Sequence, residues 1–137
     1  MRVPKLPIDP KDFSPNEAWL LFQLNDAPVR TLADGDFNVL AVMDVATGLI
    51  HGMEFIGLLE NEPSEFLSRK LFAAAESQAG AKPQLMFVDS DKKMEQMVAA
   101  AKAMGLEVVP ECGNNLNPLT AEAREGFAAH VSGGREK

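Results

Sequence analysis

The chain has 137 residues, 46% of them apolar and 24% charged, the composition of one globular domain rather than of a disordered chain. Thirteen Lys and Arg against twenty Asp and Glu leave a net charge of −7, which opposes non-specific binding to nucleic acid, where basic side chains must displace phosphate counterions. A single cysteine, Cys112, excludes an intrachain disulfide and a cysteine-rich zinc site.

Pro4, Pro7, Pro10 and Pro15 fix φ and remove backbone donors, so residues 1–17 read as an extended, irregular arm. The opening MRVPKLPIDP lacks the apolar stretch of a signal peptide, and no run approaches the roughly 18 apolar residues of a membrane span. The expectation is a cytoplasmic protein with no membrane partner.

Ala18 to Leu24 (AWLLFQL) is a nearly continuous apolar run, the mark of a strand buried on both faces. After a polar stretch holding Asp26, Pro28, Asp34, Gly35 and Asp36, Phe37 to Asp44 (FNVLAVMD) reads as a second strand. Val45-Ala46-Thr47-Gly48 is a turn and Leu49 to Ile56 its return strand. The period then changes. Ser64 caps a helix in which Leu67, Leu71, Ala74, Ala75 and Gln78 recur at helical spacing, with Gly80 as its stop. Gln84 to Val88 is a strand. Ser90 caps a second helix with Met94, Met97, Val98, Ala101 and Met104 on one face, a core stripe that ends at Gly105. Leu106 to Val109 is a short strand stopped by Pro110. Asn117 and Pro118 then open a third helix with Leu119, Ala123, Phe127 and Val131 in register, and residues 132–137 form a flexible tail.

The order is three antiparallel strands followed by α-β-α-β-α, with right-handed crossovers making the later strands parallel. This describes an α/β domain over 18–131, a mixed five-stranded sheet with helices packed on it. The order and three of its segments resemble the ribonuclease H-like superfamily, above all the integrase and transposase catalytic core. VLAVMDVATGLIHG (Val39 to Gly52) is similar to that core's second and third strands. AKPQLMFVDSDKK (Ala81 to Lys93) resembles its Pro-apolar-strand-Asp passage, and NPLTAEARE (Asn117 to Glu125) the Asn-Pro opening of its last helix.

The resemblance implies phosphoryl transfer by two divalent metals about 3.5–4 Å apart, Mg²⁺ or Mn²⁺, held by oxygen ligands. One Asp would come from the first strand, one from the end of the fourth, and an acidic residue from the last helix. Asp89 matches the fourth-strand position. Aligning Trp19 with the family's frequent tryptophan puts Phe22 where the first-strand Asp belongs. Asp26 lies four residues on, about 13 Å along an extended chain, and could serve only from a shifted or bulged strand. Asp44 leaves a strand antiparallel to the first and fourth, so it sits at the opposite sheet end and reads as a turn residue. Glu125 follows Pro118 by seven residues, at family spacing. At about 100° per residue its phase lies opposite the apolar stripe, and Glu122 is slightly better directed. Asp89 and Asp91 also suit a helix N-terminus as caps.

No GxGxxG, GxxxxGK[ST] or GxSxG motif occurs, and His51 and His130 lack a ligand spacing such as HxxxH. One Trp and no Tyr weaken the case for a base-stacking binder. The leading expectation is a non-catalytic ribonuclease H-like module without cofactor, acting through protein contacts or self-association. The first alternative is a metal-dependent nuclease or strand-transfer enzyme using Asp89, Asp26 or Asp36, and Glu125 or Glu122, with Mg²⁺ or Mn²⁺. The second is a small-ligand binder near Asp26, Asp36 and Asp89, at the carboxyl ends of the parallel strands.

Overall fold

A stretch that is apolar on both faces must be covered on both, and Ala18–Gln23 forms the central strand, β1, buried along all but its last residue. The computed structural model describes residues 10–25, 37–57, 64–90, 95–111 and 113–135. β2 (Phe37–Asp44) lies antiparallel to β1 and β3 (Ile50–Gly57) antiparallel to β2. On the other side β4 (Leu85–Asp89) runs parallel to β1 and β5 (Glu107–Glu111) parallel to β4. The order β3-β2-β1-β4-β5 is the mixed five-stranded sheet that the element sequence predicts.

Alternation along the strands sorts the core into two layers. Trp19, Leu21, Leu40, Val42, Met86 and Val88 face α1 (Glu65–Ala79) and α2 (Glu95–Ala103), which contribute Leu71, Phe72, Ala75, Met97, Ala100 and Ala101. Leu20, Phe22, Val39, Ala41 and Phe87 face α3 (Gly113–Arg135), which contributes Leu116 with Leu119, Ala123 and Phe127 at its margin. Of the methionine stripe, Met97 is core and Met104, partly buried, packs against it; Met94 lies outside the described residues.

Local chemistry sets the helix ends. Ser64 Oγ accepts from Leu67 N at 3.1 Å, and Gly80 closes α1 in the left-handed region at φ 90°, its N–H donating to Glu76 O. Gly52 on β3 admits the close approach of α1, since a Cβ there would lie 3.2 Å from Leu71 Cδ1.

Three expectations need correction. α3 starts at Gly113 rather than at Asn117, so Pro118 is its sixth residue and leaves the Asn114 carbonyl without its i+4 donor. The same helix continues to Arg135, through most of the segment read as a flexible tail. β5 does not stop at Pro110. The Glu107 N–H donates to Gln84 O and the Glu111 carbonyl accepts from Ser90 N, so odd residues of β5 turn toward β4 and the Pro110 nitrogen points outward. An edge strand tolerates proline in that orientation.

Of the arm, residues 10–17 pack against the domain: Pro10–Asp12 form a 3₁₀ turn, and the Phe13 ring meets Phe87 edge-on at 5.8 Å. Asn16, in the left-handed region at φ 65°, knots this corner. Its N–H donates to Asp44 Oδ1 (2.9 Å), its Nδ2 to Ala81 O (2.9 Å), and its Oδ1 accepts from Trp19 Nε1 (2.7 Å). Asp44, 2% exposed, also accepts from Thr47 Oγ1 at 2.7 Å.

Candidate functional site

Parallel pairing of β1 with β4 builds one end of the sheet. Leu21 pairs with Val88, so the next residues, Phe22 and Asp89, stand side by side where both strands end. Alternation sends both side chains to the α3 face, beside Phe87 and Leu20. Asp89 pairs in turn with Glu111 of β5, which sets two half-buried carboxylate residues on neighbouring strands. Asp44 pairs with Trp19, three residues back along β1 and about 10 Å away by strand rise. It is the turn residue that the antiparallel reading requires, with its carbonyl accepting from Gly48 N.

Phe22 is 2% exposed, and Arg124 from α3 covers it. The guanidinium carbon lies 5.9 Å from the ring centroid, and Nε donates to Gln23 O at 3.1 Å. A cation over an aromatic face is held by the ring quadrupole, and the carbonyl fixes its orientation. The helix turns Leu116 and Thr120 inward, keeps Arg124 half-buried, and leaves Glu122 and Glu125 exposed. The residue of α3 that reaches the strand end is therefore the arginine next to Glu125. Asp26, Asp36, Asp91 and Cys112 lie outside the described residues, as does the His130 side chain. His51 is half-buried, its ring 6.0 Å from that of Trp19.

Divalent metals of the magnesium type need several oxygen ligands converging on one point. Phe22 supplies none, and Arg124 adds a fixed positive charge above it. Among the described residues, no three of His, Cys, Asp and Glu gather closely enough to hold a metal ion. Phe22 and Arg124 do not fit the metal pair that the family resemblance implies. On the opposite face, an open cleft of about 550 Å³ lies between α2 and the ends of β4 and β5. Val88, Val98, Val108 and Pro110 line it, with Glu95 and Lys102 as charged residues at its wall.

Sequence reasoning missed Arg124 and Glu111. Glu111 follows Pro110, which reads as a stop. Arg124 lies beside the stripe of Leu119, Ala123 and Phe127, a phase at which only its chemistry, not its spacing, marks it out.

No family model matches the chain, and no curated protein matches its sequence. Among solved structures, a chain in the simian T-cell lymphotropic virus intasome in complex with PP2A regulatory subunit B56 gamma is similar in fold. The TM-score is 0.55 at 11% identity, over 94% of this chain and 40% of that one. The fold is ribonuclease H-like. At that identity the likeness concerns the fold alone, and this chain spans less than half the length of the intasome chain it matches. Among the described residues no helix is long and apolar enough to cross a membrane.

Proposed function

We propose that this domain is a non-catalytic ribonuclease H-like module that works through contacts with other proteins or with further copies of itself. The observation that carries the reading is the Arg124 guanidinium seated over Phe22 and bonded to Gln23 O, at the strand end where the resemblance calls for a metal-binding carboxylate. A buried ring and a tethered cation there favour packing between α3 and the sheet, not the gathering of divalent ions. The net charge of −7 points the same way, because it repels a phosphate backbone. The intasome chain of similar fold is itself part of an assembly with a regulatory protein subunit.

A second reading, a metal-dependent nuclease or strand-transfer enzyme, draws support from Asp89, which ends β4 beside the first strand with Glu111 next to it. It would add Asp26 or Asp36 and Glu122 or Glu125 as ligands. The experiment that separates the two mixes the full chain with DNA and with RNA in millimolar Mg²⁺ or Mn²⁺. The module reading expects no cleavage and a melting temperature unmoved by either metal. Metal-dependent cleavage that disappears in Asp89→Asn overturns it.

A further inference from the structure

β3, β4 and β5 all point one way, and α1 and α2 each return the chain to the start of the next strand, so the two helices run side by side in one direction. Hydrogen bonds lock the pair at both ends. The Glu65 N–H donates to Gln96 Oε1 at 2.9 Å beside the N-termini, and Lys82 Nζ donates to Met104 O at 3.0 Å below the end of α2. Between these ties the outer surface forms a groove of about 360 Å³. The buried Ala100 is its floor, Ala73, Ala103 and Met104 its walls, and Arg69 and Glu76 of α1 its charged groups.

Arg69, Ala73 and Ala103 are exposed, and Glu76 is half-buried. Seven residues are nearly two full turns, so Arg69 and Glu76 share one line along α1, about 10 Å apart, with Ala73 between them. Among the described residues Glu76 makes no ion pair. Arg69 reaches Glu65 one turn back, in a pair exposed on both sides, and its five N–H donors leave room for a second carboxylate. The charge of this layer also differs from that of the molecule. α1 and α2 carry Arg69, Lys70 and Lys102 against Glu65, Glu76 and Glu95, an even balance in a chain of net charge −7. Two copies meeting here are spared the like-charge repulsion that opposes contact elsewhere.

We infer that a second copy of this chain docks on the α1–α2 groove, with α1 antiparallel to α1 about a twofold axis level with Phe72 and Ala73. Reversing one helix brings Arg69 of each copy against Glu76 of the other, so the same ion pair forms twice. A patch that complements itself in this way meets the condition for an isologous interface. Ala73 sits at the axis, where a longer side chain would collide with its own counterpart. Arg69 then bridges Glu65 of its own helix and Glu76 of the second copy. The groove needs no rearrangement to accept a neighbour, because the ties at Gln96 and Lys82 already fix the spacing of the helices. Ion pairs this close to solvent are weak and the facing area is small, so the dimer dissociates in the micromolar range. The inference rests on the proposed reading of a self-associating module and gives it a surface.

Sedimentation velocity of the full chain, from micromolar to submillimolar concentration, tests it. The parent chain should show a monomer–dimer equilibrium. Glu76→Arg sets Arg against Arg in both pairs, and Arg69→Glu sets Glu against Glu, so each variant alone should dimerise roughly tenfold or more weakly. Mixed in equal amounts, the two variants should recover a dimer, because every facing pair then joins Glu to Arg. Circular dichroism checks that both variants fold. A dimer indifferent to the two substitutions overturns this surface while self-association stands. Weakened homodimers that mixing does not restore overturn the antiparallel pairing and the inference with it. A monomer at every concentration also overturns it, and leaves the groove to a different protein. Metal-dependent cleavage of DNA or RNA instead defeats the reading beneath it.

Discussion

Replacing Asp44 tests the corner that ties the N-terminal segment to the sheet. Its carboxylate accepts from the Asn16 N–H and from the Thr47 hydroxyl, and Asn16 in turn holds the Trp19 indole and the Ala81 carbonyl. A hydrogen bond to a charged group contributes about 1.5–3 kcal/mol, and the half-buried setting of Asn16 places this one at the lower end. Thr47 is exposed, so its bond adds on the order of 0.5–1 kcal/mol. Asp44→Ala should therefore cost about 2–3 kcal/mol, a large share of the roughly 5–15 kcal/mol that a domain has in total. Asp44→Asn should cost only about 1 kcal/mol. Its oxygen still accepts from Asn16 and its amide donates to the rotatable Thr47 hydroxyl. Trp19 is the one tryptophan, fully buried and bonded to Asn16, so urea unfolding followed by its fluorescence reports on this corner directly. With a slope of about 1–3 kcal/mol per molar urea, the midpoint of Asp44→Ala should fall by roughly 1–2 M. Equal losses for the Ala and Asn variants, or a loss under about 1 kcal/mol for Ala, would refute the reasoning.

Three further variants probe other joints by the same urea assay. Pro118→Ala restores an N–H to the Asn114 carbonyl, so it should stabilise the chain by about 1–3 kcal/mol; no gain would mean the helix begins at Asn117, where proline is harmless. Ser64→Ala removes the acceptor for Leu67 N and should cost about 1 kcal/mol. Arg124→Ala loses the cation over Phe22 and the bond to Gln23 O, and should cost about 1–2 kcal/mol; an unchanged midpoint would show that α3 docks without it.

The sheet was legible because burial leaves a period. A strand covered on both faces, Ala18–Gln23, cannot afford a polar residue until its end, and the switch from alternation to helical spacing after Ser64 is equally plain. The start of α3 was not, since Asn117-Pro118 is a strong local opening signal. Tertiary packing of Leu116 against the sheet outweighs it and draws the helix back to Gly113. The strand end was half legible. Asp89 stands where the resemblance puts it, and Phe22 beside it, but register and helix phase bring Arg124 there, and neither is visible in a list of carboxylates. The corner at Asn16 was invisible for another reason. It joins residues 28 and 65 positions apart, and no local pattern encodes such contacts.

Pro110 has a consequence for how far association can go. A filament needs two sticky ends per subunit, and a proline turned outward on β5 closes one of them. With that side shut, crowding the protein cannot string its sheets edge to edge into ribbons.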